Sequence, residues 1–143
     1  MVLGTADEVK AGALQEDVSV TVQHSQVSGA QVSGDVLKAV AAILTAGPEA
    51  LVLKRGGEGT TVYLEDGAIV EAATFPVEVY NVLGAGDAFA SGFLYGYLKG
   101  WDWHRSARMG NACGAIVVTR HGCANFMPYE QEALTFIEER GGF

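Results

Sequence analysis

Basic residues are scarce in this chain: nine Lys and Arg stand against seventeen Asp and Glu, giving a formal net charge of −8 at pH 7. That leaves no basic field to draw in a phosphodiester backbone or an anionic membrane surface, so neither nucleic acid nor membrane is an expected partner. Long hydrophobic runs are missing too. The longest apolar stretches, "AFASGFLYGYL" and "CGAIVV", fall well short of the roughly 20 residues that span a bilayer. The opening "MVLGTADEVK" has no basic n-region, no apolar h-region and no small-residue cleavage site, so cytoplasmic residence is the expectation. Cysteine is limited to Cys113 and Cys123, with no C-x-x-C pair. This signals neither zinc nor a disulfide framework and leaves two buried or partly buried thiols. His24, His104 and His121 are scattered, so metal ligation by them is not expected. A G-x-x-x-x-G-K-[ST] phosphate loop and a G-x-S-x-G elbow are both absent, which leaves P-loop and covalent hydrolase chemistry without support.

What is present suits one globular domain: 143 residues, 49% of them hydrophobic. "MVLGT" predicts a short buried strand and "ADEVKAGAL" a helix with acids in its first turn, where they complement the dipole. From Gln15 to Gly34 the chain is polar and Gly/Ser-punctuated; it is expected to be a connection, with a strand at Val18 to Val22 as the alternative. "GDVLKAVAAILTAG" predicts a helix capped by Asp35 and stopped at Gly47-Pro48, and "ALVLK" a fully buried strand. Two β-rich runs flank Asp66-Gly67, the favoured two-residue hairpin signal, and "VEVYNVL" predicts one more strand.

After Gly86 the pattern turns helical. Ala88, Gly92, Gly96 and Gly100 form a small-residue row that would let a helix approach a sheet closely, beside a bulky row of Phe89, Phe93 and Tyr97. Two more helices follow, in "DWHRSARMGNACGAIVVTR" and, after Pro128, in "YEQEALTFIEER". Trp101, Trp103 and Tyr129 are expected to be core or staple residues. Strands followed by helices, with a hairpin inserted, predict an α/β layer architecture. An opening strand with nothing to cover the sheet edge suggests part of a larger fold.

"NVLGAGDAF" is the stretch with the most chemistry. As a dinucleotide fingerprint it fails, because it lacks the last Gly and places an acid where pyrophosphate would sit. What survives is a Gly-rich turn at a helix N-terminus, where the free NH groups of Ala85, Gly86 and Asp87 could hold an oxyanion. Asp87 itself is either a helix cap or a general base beside that anion hole. "KRGGEG", residues 54–59, supplies a second turn in which Gly56 and Gly59 permit close approach to a ligand; a plain strand-to-hairpin turn would look similar. Glu8 is simplest as a first-turn helix acid. Asn111, among small residues, suits capping or core hydrogen bonding as well as ligand binding.

The ordered set "GTADE", "KRGGEG", "NVLGAGDAFASGFLYG" and "NACGAIVVTRHGCANFMP" resembles the ribokinase, or PfkB, family of carbohydrate kinases, and specifically the C-terminal half of such a kinase. The resemblance implies a ribokinase-like three-layer α/β fold with an incomplete sheet, ATP and Mg²⁺ as cofactors, and a sugar or sugar acid as phosphoryl acceptor. Within the family the runs look most like the subfamily acting on 5-dehydro-2-deoxygluconate in myo-inositol catabolism; ribose, fructose and 2-keto-3-deoxygluconate are the alternative substrates. By the same resemblance Asp87 is the catalytic base, and Gly84, Ala85 and Gly86 with Asp87 form the anion hole. Lys54, Arg55, Gly56, Gly57, Glu58 and Gly59 make the nucleotide-binding turn, Asn111 lies near the adenine, and Glu8 acts indirectly on magnesium.

Three departures from the family pattern bear on this. Thr5 replaces the Asn of the Asn-x-x-Glu motif, while Asn81 and Leu83 replace the Asp and Thr of DTxGAGD, which leaves activation by a monovalent cation open. With the sugar-binding and lid half absent, the resemblance also implies a homo-oligomer or association with a missing N-terminal half. A non-catalytic nucleotide-binding fragment, or half of a split kinase, is the alternative function.

Overall fold

A computed structural model describes residues 1–13, 20–21, 31–122 and 124–143. The order of elements is β1 (Val2–Thr5), α1 (Ala6–Gly12), β2 (Val20–Thr21), β3 (Gln31–Val32), α2 (Val36–Thr45), β4 (Ala50–Lys54), β5 (Thr60–Leu64), β6 (Ile69–Ala72), α3 (Ala85–Leu98), α4 (Trp103–Val118) and α5 (Glu130–Glu138). Strands β1-β4-β5-β6 form one sheet in that order, and β2-β3 pair separately. By compactness the chain divides into a first unit, Met1–Arg55 with Thr61–Ile69, and a second, Gly56–Thr60 with Val70–Phe143.

In the first unit β1 pairs parallel with β4, from Val2 opposite Leu51 to Thr5 opposite Lys54. A parallel neighbour requires a crossover, and α1, β2, β3 and α2 lie along it. The apolar run of β4 is buried from Ala50 to Leu53. Leu51 and Leu53 pack with Val9 of α1 and with Ala39 and Val40 of α2, each large aliphatic side chain contributing about 1.5–3 kcal/mol by burial. Asp35 caps α2 as expected, accepting from the NH groups of Leu37 at 2.8 Å and Lys38 at 3.2 Å. The alternative strand at Val18 to Val22 falls mostly outside the described residues, which include only its Val20–Thr21 part, paired antiparallel with β3. The turn after β5 differs from the two-residue hairpin expected. Leu64 NH donates to Ala68 O, so Glu65, Asp66 and Gly67 form the loop, with Gly67 at φ 87° supplying the left-handed residue that such a loop needs.

In the second unit α3 packs on α4, and the small-residue row shows why. A Cβ on Gly92 would lie 2.6 Å from Cys113 Sγ, and one on Gly96 would lie 3.0 Å from Ser106 Oγ. From the other side, a Cβ on Gly110 would lie 2.8 Å from the Phe89 ring. The row thus faces a helix rather than the sheet predicted for it, and Gly100, placed in that row, lies beyond the helix at φ 76°. The bulky row stacks instead, Phe89 on Phe93 and Tyr97 on Trp103. Val117, Ala133 and Ile137 complete a core with Phe75, Met109 and Cys113. Burial raises the Cys113 thiol pKa to about 11, with the Glu132 carboxylate adding to the effect. Cys123 and His24 lie outside the described residues.

Two further expectations fail in this unit. "VEVYNVL" is not a strand: the Tyr80 and Asn81 NH groups both turn to Val118 O, and Val79, Tyr80, Val82 and Leu83 are exposed. β-rich composition needs a neighbouring ladder before it becomes a strand, and no described strand pairs with this run. Tyr129, expected as core or staple, is 84% exposed, because the chain turns it outward just before α5.

Candidate active site

Residues carrying the expected chemistry fall into one cluster in each unit. In the first, the parallel register sets Thr5 and Lys54 side by side at the carboxyl ends of β1 and β4, the end where open α/β sheets bind ligands. Thr5 also starts α1 through a capping box. Its Oγ1 accepts from Glu8 NH at 3.4 Å, and Glu8 Oε2 accepts from Thr5 NH at 2.7 Å. Lys54 Nζ stands 3.5 Å from the same Glu8 oxygen. The Thr5 NH, followed by the Lys54 charge, outweighs partial burial and holds the Glu8 carboxyl below its usual range. Glu8 is therefore an anion with a fixed orientation at a strand end. The box was legible as Thr-x-x-Glu, although Glu8 alone had suggested only a first-turn acid.

In the second unit Gly56–Glu58 form a single 3₁₀ turn, closed by Gly59 NH to Gly56 O at 3.1 Å. Its two outer glycines do different work. Gly56, at φ 57°, has open space where a Cβ would be, leaving its backbone approachable. Gly59, at φ 91°, is needed for the protein's own contact: a Cβ there would meet Ala72 O at 2.3 Å. Close approach at Gly59 is thus to the Ala72–Thr74 backbone, whereas the sequence had suggested a ligand.

Asn111, on α4, is buried and its amide is engaged. It accepts from Thr60 Oγ1 at 2.7 Å and donates to Ala72 O and Ala73 O, both at 3.0 Å. The core hydrogen-bonding alternative describes these contacts. The sequence did not single out the Thr60 hydroxyl, which donates to Asn111, and the Ala72 and Ala73 carbonyls carried no signal because every residue has one.

The GAGD turn begins α3. Gly84 occupies the N-cap at φ 83°, with no side-chain cap, and Ala88 NH bonds back to Gly84 O at 2.9 Å. Ala85 NH donates to Val82 O at 3.2 Å, so it is engaged already. Gly86 and Asp87 sit in the first turn, where NH groups have no intrahelical acceptor. Asp87 makes no capping bond and is exposed, so the helix-cap role is not the one it has here. A carboxylate and two free NH groups in one turn can accept a proton and hold an oxyanion. Among the described residues, no three His, Cys, Asp or Glu side chains group as metal ligands, and no helix is long and apolar enough to cross a membrane.

Residues 22–130 match the pfkB family of carbohydrate kinases, and the chain belongs to that family. Among its relatives, a 5-dehydro-2-deoxygluconokinase from Shouchella clausii is 33% identical over 130 residues, covering 91% of this chain and 40% of the relative. Another of that name, from Clostridium tetani, is 39% identical over 94 residues, covering 66% of this chain and 28% of the relative. The chain therefore spans only about a quarter to two fifths of the length of these relatives. In fold it is similar to an E. coli chain provisionally named ribokinase II, solved with ATP and Mg²⁺, at 32% identity and TM-score 0.70. That likeness covers 75% of this chain and 34% of the other, and it bears out the ribokinase-like α/β fold class.

Proposed function

We propose that this chain is the C-terminal, nucleotide-binding part of an ATP-dependent kinase that phosphorylates a hydroxyl of 5-dehydro-2-deoxygluconate. The observation that carries the reading is the start of α3, where an uncapped, exposed Asp87 shares a turn with the free NH groups of Gly86 and Asp87. In the proposed step Asp87 takes the proton of the attacking hydroxyl as its oxygen bonds to the γ-phosphorus. The bond from that phosphorus to the leaving oxygen breaks and ADP departs. The NH groups stabilise charge on the transferred phosphoryl group, so catalysis rests on positioning and electrostatics. The names of the relatives support the choice of substrate, and the E. coli complex supports ATP as phosphoryl donor.

The single oriented carboxylate of Glu8 is compatible with Mg²⁺, which binds through one or two carboxylates, water and the phosphates of its nucleotide rather than through an all-protein cage. Mg²⁺ carried by the nucleotide would neutralise phosphate charge, and Glu8, oriented by Thr5, would act on its water or phosphate ligands. Lys54, Arg55, Gly56, Gly57, Glu58 and Gly59 form the nucleotide turn in this reading, with Asn111 bracing it. The cytoplasm, where ATP is supplied, is the proposed location.

The test joins this chain to the N-terminal part carried by its relatives and measures phosphorylation of 5-dehydro-2-deoxygluconate, ribose, fructose and 2-keto-3-deoxygluconate. Asp87→Asn should lower kcat by about 10²-fold or more while the Kd for Mg-ATP stays nearly unchanged. Retained turnover would remove Asp87 from the base role. The short span relative to the relatives favours a second reading, a nucleotide-binding half that acts only with its partner. In that case the chain alone binds ATP and transfers nothing.

A further inference from the structure

The Ala72–Thr74 backbone bears more than the nucleotide turn. Gly59 lies against it, and Asn111 Nδ2 donates to its Ala72 and Ala73 carbonyls. Arg108, almost one turn before Asn111 on α4, reaches the same backbone: its Nη1 donates to Ala73 O at 2.8 Å. Its Nη2 donates to Gly142 O at 2.7 Å, and the guanidinium carbon lies 3.8 Å from the centre of the Phe75 ring. The C-terminal tail is itself anchored. Gly142 NH bonds to Ile137 O at 2.9 Å, and the Phe143 ring lies 4.5 Å from the Arg105 guanidinium and 5.4 Å from the Trp101 ring. One planar fork therefore joins the chain terminus to the strip on which Gly59 and Asn111 rest.

We propose that Arg108 is a positioning residue for the nucleotide turn, using the Gly141–Phe143 tail as a second anchor to hold the Ala72–Thr74 backbone where Gly59, Thr60 and Asn111 require it. The proposal rests on the nucleotide-binding reading above. An arginine is required because two acceptors must be met at once by a rigid planar fork, which a lysine, as a single point charge, cannot do. Losing either end of the fork frees the same carbonyl strip, so removing Arg108 and removing the tail act on one element.

The test compares the full chain with Arg108→Ala, with Arg108→Lys, with a chain ending at Arg140, and with that truncation combined with Arg108→Ala. Leu94→Gly, a change at an exposed position within α3, controls for lost stability. Amide hydrogen exchange at Thr60 and Thr74 is measured without nucleotide, and the Kd for Mg-ATP by calorimetry. Arg108→Ala and the truncation should each speed exchange at both amides and weaken Mg-ATP by about tenfold, the worth of one charge-assisted hydrogen bond. Arg108→Lys should fall between, and the combined variant should be no worse than either alone. Unchanged exchange in Arg108→Ala, effects that add, or an equal response in Leu94→Gly would overturn the proposal. Should the full chain bind no Mg-ATP, the functional reading falls, and exchange at Thr60 and Thr74 still decides whether Arg108 holds the strip.

Discussion

The two units hold their chemistry in different ways. In the first, charged side chains are aimed by secondary structure: strand register sets Lys54 beside Thr5, and a capping box turns Glu8 toward both. In the second, the groups that matter are backbone atoms, namely a glycine turn on a carbonyl strip and the NH groups of a helix start. A charge on an exposed arm can be altered with modest consequence, because water replaces much of what is lost. A backbone group held at contact distance has no such substitute, so the second unit should be by far the less tolerant.

Trp101 and Trp103, the chain's two tryptophans, both lie in the second unit, so their fluorescence reports on their surroundings there. The largest effect is expected for Gly59→Ala. The new Cβ meets Ala72 O at 2.3 Å in a left-handed conformation, which should destabilise by about 3 kcal/mol or more and lower the tryptophan-detected midpoint by about 10 °C. A midpoint within a degree or two of the parent would break the comparison. Next comes Asn111→Leu, which leaves Thr60 Oγ1 and Ala72 O buried without their partner and should cost about 2–3 kcal/mol by urea unfolding. The smallest effect is expected in the first unit. Glu8→Gln should cost about 1 kcal/mol or less at pH 7 by urea unfolding, since the Glu8 side chain is 62% exposed.

Acid titration sharpens the same contrast. The Glu8 carboxyl is held below its ordinary value of 4.5, chiefly by the Thr5 NH, so the stability it supplies is complete above that value. It is lost as pH falls through the lowered one. Chemical unfolding between pH 6 and pH 3, followed by the circular dichroism of the whole chain, should show a larger loss in the parent than in Glu8→Gln, which keeps the Asp7 carboxyl that Lys10 lowers.

Helix starts and stops were legible wherever a local signal acts alone. Asp35 caps α2, Asp102 accepts from Arg105 NH at 2.7 Å to start α4, and Gly47-Pro48 follow the end of α2. The GAGD turn was equally plain, because left-handed Gly84 and the helix behind it depend only on neighbours in sequence. Partners distant in sequence were not legible. The row Ala88, Gly92 and Gly96 announced a close approach without saying to what, and the answer was α4. Val79 to Leu83 had the composition of a strand, but composition does not supply a ladder.

The candidate site divides along the same line. The sequence by itself determined which residues stand at a helix N-terminus, where acids cap or accept protons, and which glycines permit a turn, because these depend on φ, ψ and a few adjacent dipoles. Only the tertiary structure decided that Glu8 faces Lys54, that Asn111 is spent on Thr60 and the Ala72 and Ala73 carbonyls, and that Arg108 ties the terminus to that strip. Those contacts join residues far apart in the chain, several of them through backbone carbonyls that every residue carries alike, so no side-chain pattern encodes them.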